Sequence, residues 1–276
     1  MFFWFRICRD TYYSFLSNDG WAIASHIALS TLTSLFPFLI FVAAVAGYFG
    51  TQELADEAAR LLFQSWPEQV AQPIAAELHN VLTQPRGGLL TASALLALYF
   101  SSSGIEALRI GLNRAYGERE TRYWLVLRFE SILYVLIGAI ALLLLALLVV
   151  FAPLVWQSVE LRFPLLSRHW SFDAMPRYVL TAGVLTLALF IAHKWLPAGQ
   201  RRAAEVAPGV GLTLVLSLVF AASFGQYLAE FARNYVSTYA GLASFMIALV
   251  FLYSLAFIFL LGGELNATLK RAAKPR

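Results

Sequence analysis

Residues 131–159 read SILYVLIGAIALLLLALLVVFAPLVWQSV and contain no Asp, Glu, Lys or Arg. A bilayer core about 30 Å thick needs about 20 mostly apolar residues as a helix, so this stretch is long enough to cross one. Five more uncharged stretches follow the same pattern, at 20–52, 87–105, 178–193, 206–229 and 234–263. Together they predict an all-α, polytopic membrane helix bundle of six transmembrane helices. The expected spans are about 21–48, 88–104, 130–156, 178–196, 207–229 and 241–264, in a single membrane domain covering 1–276.

Composition excludes the alternatives. The chain is 60% hydrophobic and only 13% charged, against about 25% charged in soluble domains, and its mean hydropathy is +0.69. A soluble fold could not hide that much apolar surface. The single cysteine, Cys8, rules out an internal disulfide and any Cys-based zinc cluster. Ala44-Val45-Ala46 mimics a cleavage site, but the uncharged run around it is too long for a signal-peptide core. The first span is therefore expected to stay in the chain.

Orientation follows from where the basic residues fall. Connections taken alternately from the start of the chain carry Arg6 and Arg9, then Arg109, Arg114, Arg119, Arg122 and Arg128, then Lys194, Arg201 and Arg202, then Lys270, Arg271, Lys274 and Arg276. That set holds 14 of the 20 basic residues and the other set holds 6. The positive-inside rule places the richer set in the cytoplasm. The expectation is a multi-pass membrane protein with both termini inside, consistent with an even number of spans.

Within the spans, a few polar residues stand out. Span one contains Pro37, which removes a backbone donor and tends to kink a helix. The hydroxyls of Ser30, Thr31, Thr33 and Ser34 can satisfy freed carbonyls there. His26, Ser30 and Ser34, at spacings of four, share a face with Pro37. The first outer loop, about 51–86, predicts two amphipathic helices, from Leu54, Ala58, Leu61 and Leu62 and, after Pro67, from Val70, Ile74, Leu78 and Val81. Span two meets Ser101-Ser102-Ser103-Gly104, then resumes helical spacing with Glu106, Arg109 and Asn113 on one side. As a single helix from Gly88 to Tyr116 it would be about 43 Å long at 1.5 Å per residue, so it either projects from the bilayer or breaks at the serines. Span three is expected to face lipid on one side. Span five begins near Pro208, read as a first-turn proline, with Gly209 and Gly211 allowing close helix contact.

These blocks carry a resemblance. His26 to Pro37, ending Ser34-Leu35-Phe36-Pro37, is one. Glu106-Ala107-Leu108 through Leu112-Asn113-Arg114-Ala115-Tyr116 is a second. Tyr239-Ala240-Gly241-Leu242 through Leu261-Gly262-Gly263-Glu264-Leu265-Asn266-Ala267 is a third, and Pro208-Gly209 adds a short element. Over about 10–268 the chain resembles the YihY/BrkB family of bacterial inner-membrane proteins, formerly labelled ribonuclease BN. Two departures are His26, where many members carry Phe, and Tyr239-Ala240-Gly241 in place of Tyr-Gly. The resemblance implies a role in envelope integrity, or in export of a lipid or lipopolysaccharide component. The four histidines, His26, His79, His169 and His193, are widely separated and form no two-metal cluster, which argues against the nuclease label.

Charged groups near a membrane core are costly and usually face the bundle interior. The candidate substrate-pathway or gate residues are therefore His26, Ser30, Ser34, Pro37, Ser101, Ser102, Ser103, Glu106, Arg109, Asn113, Arg114, Glu264 and Asn266. Each has a structural reading beside the functional one. Glu264 could clamp helices by pairing with Arg109 or Arg114, Glu106 and Arg109 could be an ordinary i, i+3 pair, and His193 beside Lys194 could be an interfacial pair. No nucleotide-binding motif, catalytic triad or metal cluster stands out. The expected protein is thus not an enzyme, with no catalytic residues, metal or cofactor. Its expected partners are membrane lipids, with an anionic phospholipid or a lipopolysaccharide precursor as candidates. Nucleic acid is not expected. A second copy or an envelope protein completes the list. The leading function is movement of an amphipathic lipid or lipid-linked envelope component. The alternative is a structural scaffold of an envelope-integrity complex.

Overall fold

The computed structural model describes residues 2–49, 60, 90–162, 175–239 and 242–273. Seven helices make up this part: α1 Phe2–Ser17, α2 Gly20–Phe49, α3 Leu90–Tyr116, α4 Trp124–Arg162, α5 Met175–Trp195, α6 Ala203–Tyr239 and α7 Leu242–Ala273. No strand occurs among the described residues. Among the described residues, four stretches are long and apolar enough to cross a membrane: Leu95–Tyr116, Trp124–Leu143, Ala203–Glu230 and Phe245–Ala273, with a shorter apolar helix at Ala182–Trp195. The two helices expected in the first outer loop lie outside the described residues.

The helix boundaries have local causes. α1 stops at Ser17, where Asn18 N–H bonds the Ser14 carbonyl at 3.0 Å and Asp19 takes the left-handed conformation, φ 54°, which Asp tolerates better than most residues. α2 then starts at Gly20, where a Cβ would strike the Phe15 ring. α3 ends in a Schellman motif. Gly117, φ 68°, donates to the Arg114 carbonyl at 3.1 Å, and Glu118 N–H reaches the Asn113 carbonyl at 2.8 Å.

The centre of the molecule is a three-helix unit of α2, α3 and α7, held close by glycines. Gly104 of α3 faces Ser34 of α2, Gly111 faces Ile27 and Leu260, and Gly263 faces Leu112 and Ala115. Phe15, Ala24, Ile27, Ala107, Ala256 and Leu260 form one apolar cluster there, and Ala28, Leu32, Leu35, Leu228, Ile247, Ala248 and Leu252 form another. Small residues let backbones approach, and dispersion contact then replaces the missing hydrophobic driving force. α4 packs against α3, α6 against α7, and α5 against α6. Outward-facing apolar residues such as Leu133, Ile137 and Ile140 on α4 and Val215, Leu218 and Val219 on α6 remain exposed, as lipid-facing surfaces do.

Several local expectations are corrected or resolved. α3 runs unbroken through Ser101-Ser102-Ser103-Gly104, and Ser101 and Ser102 turn their hydroxyls back to the Leu98 and Tyr99 carbonyls at 2.9 and 2.6 Å rather than across the bundle. α2 likewise runs through Pro37. The hydroxyls of Thr33 and Ser34 bond the Leu29 and Thr31 carbonyls at 2.9 and 3.0 Å, a turn before the Thr33 carbonyl that the proline deprives of its helical donor. Pro208 is not in the first turn, since α6 already begins at Ala203. Of the two glycines expected to bring helices together, only Gly209 does so, lying on the backbone of Gly262. Gly211 faces open space.

Candidate functional site

The ionisable residues of α3 gather at one end of the bundle with groups from several other segments. α3 brings Glu106, Arg109 and Asn113 to one side of its last turns, and α4 meets them with Arg128 and Ser131. Arg109, buried, donates to the Leu127 carbonyl at 3.2 Å and to Ser131 Oγ at 3.1 Å, and lies 3.4 Å from Glu106 and 4.0 Å from Glu120. Glu106 takes its other bond from Arg128, whose guanidinium covers the Tyr99 ring at 3.8 Å. In the α3–α4 connection, Arg122 forks onto Glu120 through Nε and Nη2, both at 2.8 Å, and reaches Glu130 at 2.7 Å. The Arg122 hydrogen bonds hold the Glu120 carboxyl well below its usual range, down to about 2, and the same pairing raises Arg122.

A second polar layer crosses to α5, α6 and α7. Asn113 Oδ1 accepts the Ala198 N–H at 2.6 Å, and its amide donates to Glu120 at 3.1 Å. Asn266 Oδ1 accepts the Gly209 N–H at 2.7 Å, while its Nδ2 donates to Tyr116 Oη at 3.1 Å and the Val206 carbonyl at 3.2 Å. His193, fully buried, places Nδ1 3.3 Å from Tyr116 Oη and packs against Phe259 with ring centroids 4.7 Å apart. It turns inward, so the expected interfacial pair with Lys194 does not form. Lys194 instead lies over the Trp195 ring at 4.6 Å. Arg201 covers the Tyr116 ring at 4.0 Å, donates to the Ala198 carbonyl at 2.7 Å, and is 3.6 Å from Glu118. Burial pushes the Arg201 guanidinium down from its ordinary value.

A third group ties the start of the chain to the same end. Asn18 donates to Glu264 at 2.6 Å, and Arg271, itself bonded to Ser14, lies 3.7 Å from that carboxylate. Arg114 pairs with Asp19 on the surface. The expected clamp of Glu264 to Arg109 or Arg114 is thus replaced. Arg109 points toward α4, and Arg114, five positions further on, lies on the other side of α3, toward the α1–α2 junction.

Beside these layers opens a cavity of about 530 Å³ between the α3–α4 and α5–α6 connections, bordered by Glu120, Arg122, Lys194, Trp195 and Arg201 among others. Lys194 pairs with no carboxylate among the described residues. No group of three His, Cys, Asp or Glu residues that could hold a metal occurs among them either.

The candidate residues therefore divide. Glu106, Arg109, Asn113 and Asn266 join this end, and Arg114 and Glu264 anchor its edge. Ser34, Ser101 and Ser102 are buried between helices and bond none of its charged groups, while Ser30, Ser103 and Pro37 are half-buried. His26 is exposed on the outer face of α2, so its face does not continue as one inward track. Sequence reading missed Asn18, Tyr116, Glu120, Arg128, Ser131 and His193 as members. Arg128 offered the clearest signal, an ionisable residue three positions before Ser131 at the mouth of an uncharged run.

An all-helical bundle with bilayer-length apolar helices, glycine-mediated contacts and its buried charges collected at one end defines an integral membrane protein. The chain belongs to the family described as Virulence factor BrkB, whose model matches residues 11–276. It is 25% identical over 266 residues to YfkH of Bacillus subtilis (strain 168), a protein whose name calls it ribonuclease-like, with 96% of each chain covered. It is 26% identical over 275 residues to a UPF0761 membrane protein of Rhodospirillum centenum (strain ATCC 51521 / SW), covering 95% of this chain and 57% of that one. No solved structure matches.

Proposed function

We propose that this chain is a six-span protein of the bacterial inner membrane, with both termini in the cytoplasm, that moves or helps move an amphipathic lipid or lipid-linked envelope component. It carries no catalytic chemistry of its own in this reading. The supporting observation is the collection of Glu106, Arg109, Glu120, Arg122 and Arg128 at one end of otherwise apolar helices, beside a cavity of about 530 Å³. Charge held at membrane depth is expensive, and where it occurs it usually lines a substrate path or packs the bundle interior. Lys194 supplies at the cavity an ammonium with no carboxylate partner among the described residues, and Trp195, under it, an interfacial ring. An anionic headgroup would rest there while its tails stay in lipid.

The scaffold alternative has its own support. Arg109 is engaged by the Leu127 carbonyl, Ser131, Glu106 and Glu120 together, which suits a permanent clamp between α3 and α4. Reconstitution with fluorescent phospholipids of several headgroups separates the two. The transport reading expects lipid movement above empty liposomes, reduced by Lys194→Ala with the fold intact. Movement no faster than in empty liposomes for every headgroup favours the scaffold.

A further inference from the structure

We infer that α1 is an interfacial helix that binds the surface of the bilayer in which the bundle sits, and that its occupant is lipid. The helix has three faces. Ile7, Thr11 and Phe15, spaced by four, are buried against the bundle. Arg6, Asp10 and Ser17 lie on a polar face, which also exposes the ring of Tyr13. Phe5, Cys8, Tyr12 and Leu16, spaced by three, four and four, form an apolar stripe, and all four are exposed. Phe3 and Trp4 add exposed rings at its start. Water-exposed aromatic surface of this extent on a soluble arm would be a liability, and it marks an interaction surface.

Two observations choose lipid. The first is depth. Phe15 sits edge-on to Phe257 at 4.8 Å and to Trp21 at 5.6 Å. Phe257 lies within Phe245–Ala273, a stretch apolar enough to span the membrane. The last turn of α1 therefore lies beside the apolar part of a span. Tyr12 and Leu16, within a turn of Phe15, face away from the bundle, where the surroundings at that level are lipid. The second is charge. Among the described residues, Arg9 pairs only with its neighbour Asp10, at 2.9 Å, and Arg6 pairs with no carboxylate. Aromatic residues on one face and Arg on another are the composition of helices that lie in the headgroup region, and Arg near an anionic leaflet adds attraction. The Asn18–Glu264 and Ser14–Arg271 bonds hold the helix at that level.

Cys8 is the only cysteine and lies on the stripe, so a nitroxide attached there in the full chain reports its surroundings directly. In vesicles of phosphatidylcholine and phosphatidylglycerol, the label should collide several-fold more often with oxygen than with an aqueous nickel chelate. A label on the polar face, in the Cys8→Ser, Asp10→Cys variant, should show the reverse preference. Equal, water-like access at both positions overturns the inference. So does dipolar broadening at position 8 that disappears on dilution with unlabelled protein, which would assign the stripe to a second copy. Arg6→Gln with Arg9→Gln should shift the position 8 label toward the aqueous reagent in anionic vesicles, and no shift overturns the charge contribution.

Discussion

Asn266→Ala is the sharpest test of how the polar end is held. One amide there joins three helices, accepting from Gly209 of α6 at 2.7 Å and donating to the Val206 carbonyl at 3.2 Å and to Tyr116 of α3 at 3.1 Å. In water-soluble proteins each such bond contributes about 1 kcal/mol net. Within membrane proteins the average is about 0.6 kcal/mol, with a maximum near 1.7. Three bonds at the membrane average come to about 2 kcal/mol. Asn266 is almost fully buried, so truncation also leaves three groups with a partner missing, which raises the expected loss to about 2–4 kcal/mol. The assay is equilibrium unfolding in mixed micelles, with Tyr116→Phe as the second arm of a double-mutant cycle. The coupling between the two positions should be about 0.6 kcal/mol. A loss under about 0.5 kcal/mol for Asn266→Ala, with no coupling, would show that the amide is a bystander and that packing alone joins α3, α6 and α7.

Gly209→Val should destabilise strongly, because its Cβ would fall on the Gly262 carbonyl, whereas Gly211→Ala should be close to neutral since that position faces open space; thermal unfolding in detergent compares them. Arg109→Ala should cost about 3–5 kcal/mol by breaking a buried charge network, while Arg114→Ala, whose pair with Asp19 is exposed, should cost about 0–1 kcal/mol. The same unfolding assay reads both. Glu120 has its folded carboxyl at about 2 against an ordinary 4.5. Its stabilisation is therefore complete above about 4.5 and is lost as pH falls from there through about 2. Glu120→Gln should flatten the acid side of the stability profile over that window, and an unchanged profile would refute the pairing with Arg122.

The residues show why part of this protein is legible in one dimension and part is not. Spans appear as uncharged runs because the bilayer rejects charge at any rotation of a helix. The family blocks around Asn113, Gly209 and Asn266 stand out because a polar or glycine residue beside an apolar run is unusual wherever it points. Partner choice is different. Arg109 and Arg114 differ by five positions on one helix, about 140° of rotation, and that angle sends one to α4 and the other to Asp19. His193 and Lys194 are adjacent, yet one is buried on Phe259 and the other lies over Trp195.

The sequence by itself determined that the chain is helical, that it belongs in a membrane, and which residues are unusual there. Hydropathy is a sum over residues and needs no coordinates. Only the tertiary structure decided that Asn18, Tyr116, Glu120, Arg128 and His193 join the polar end, that Ser34 and Ser102 are packing contacts, and that α1 carries an exposed aromatic stripe. Those outcomes depend on helix rotation and crossing, which close glycine contacts such as Gly209 on Gly262 set between segments far apart in the chain.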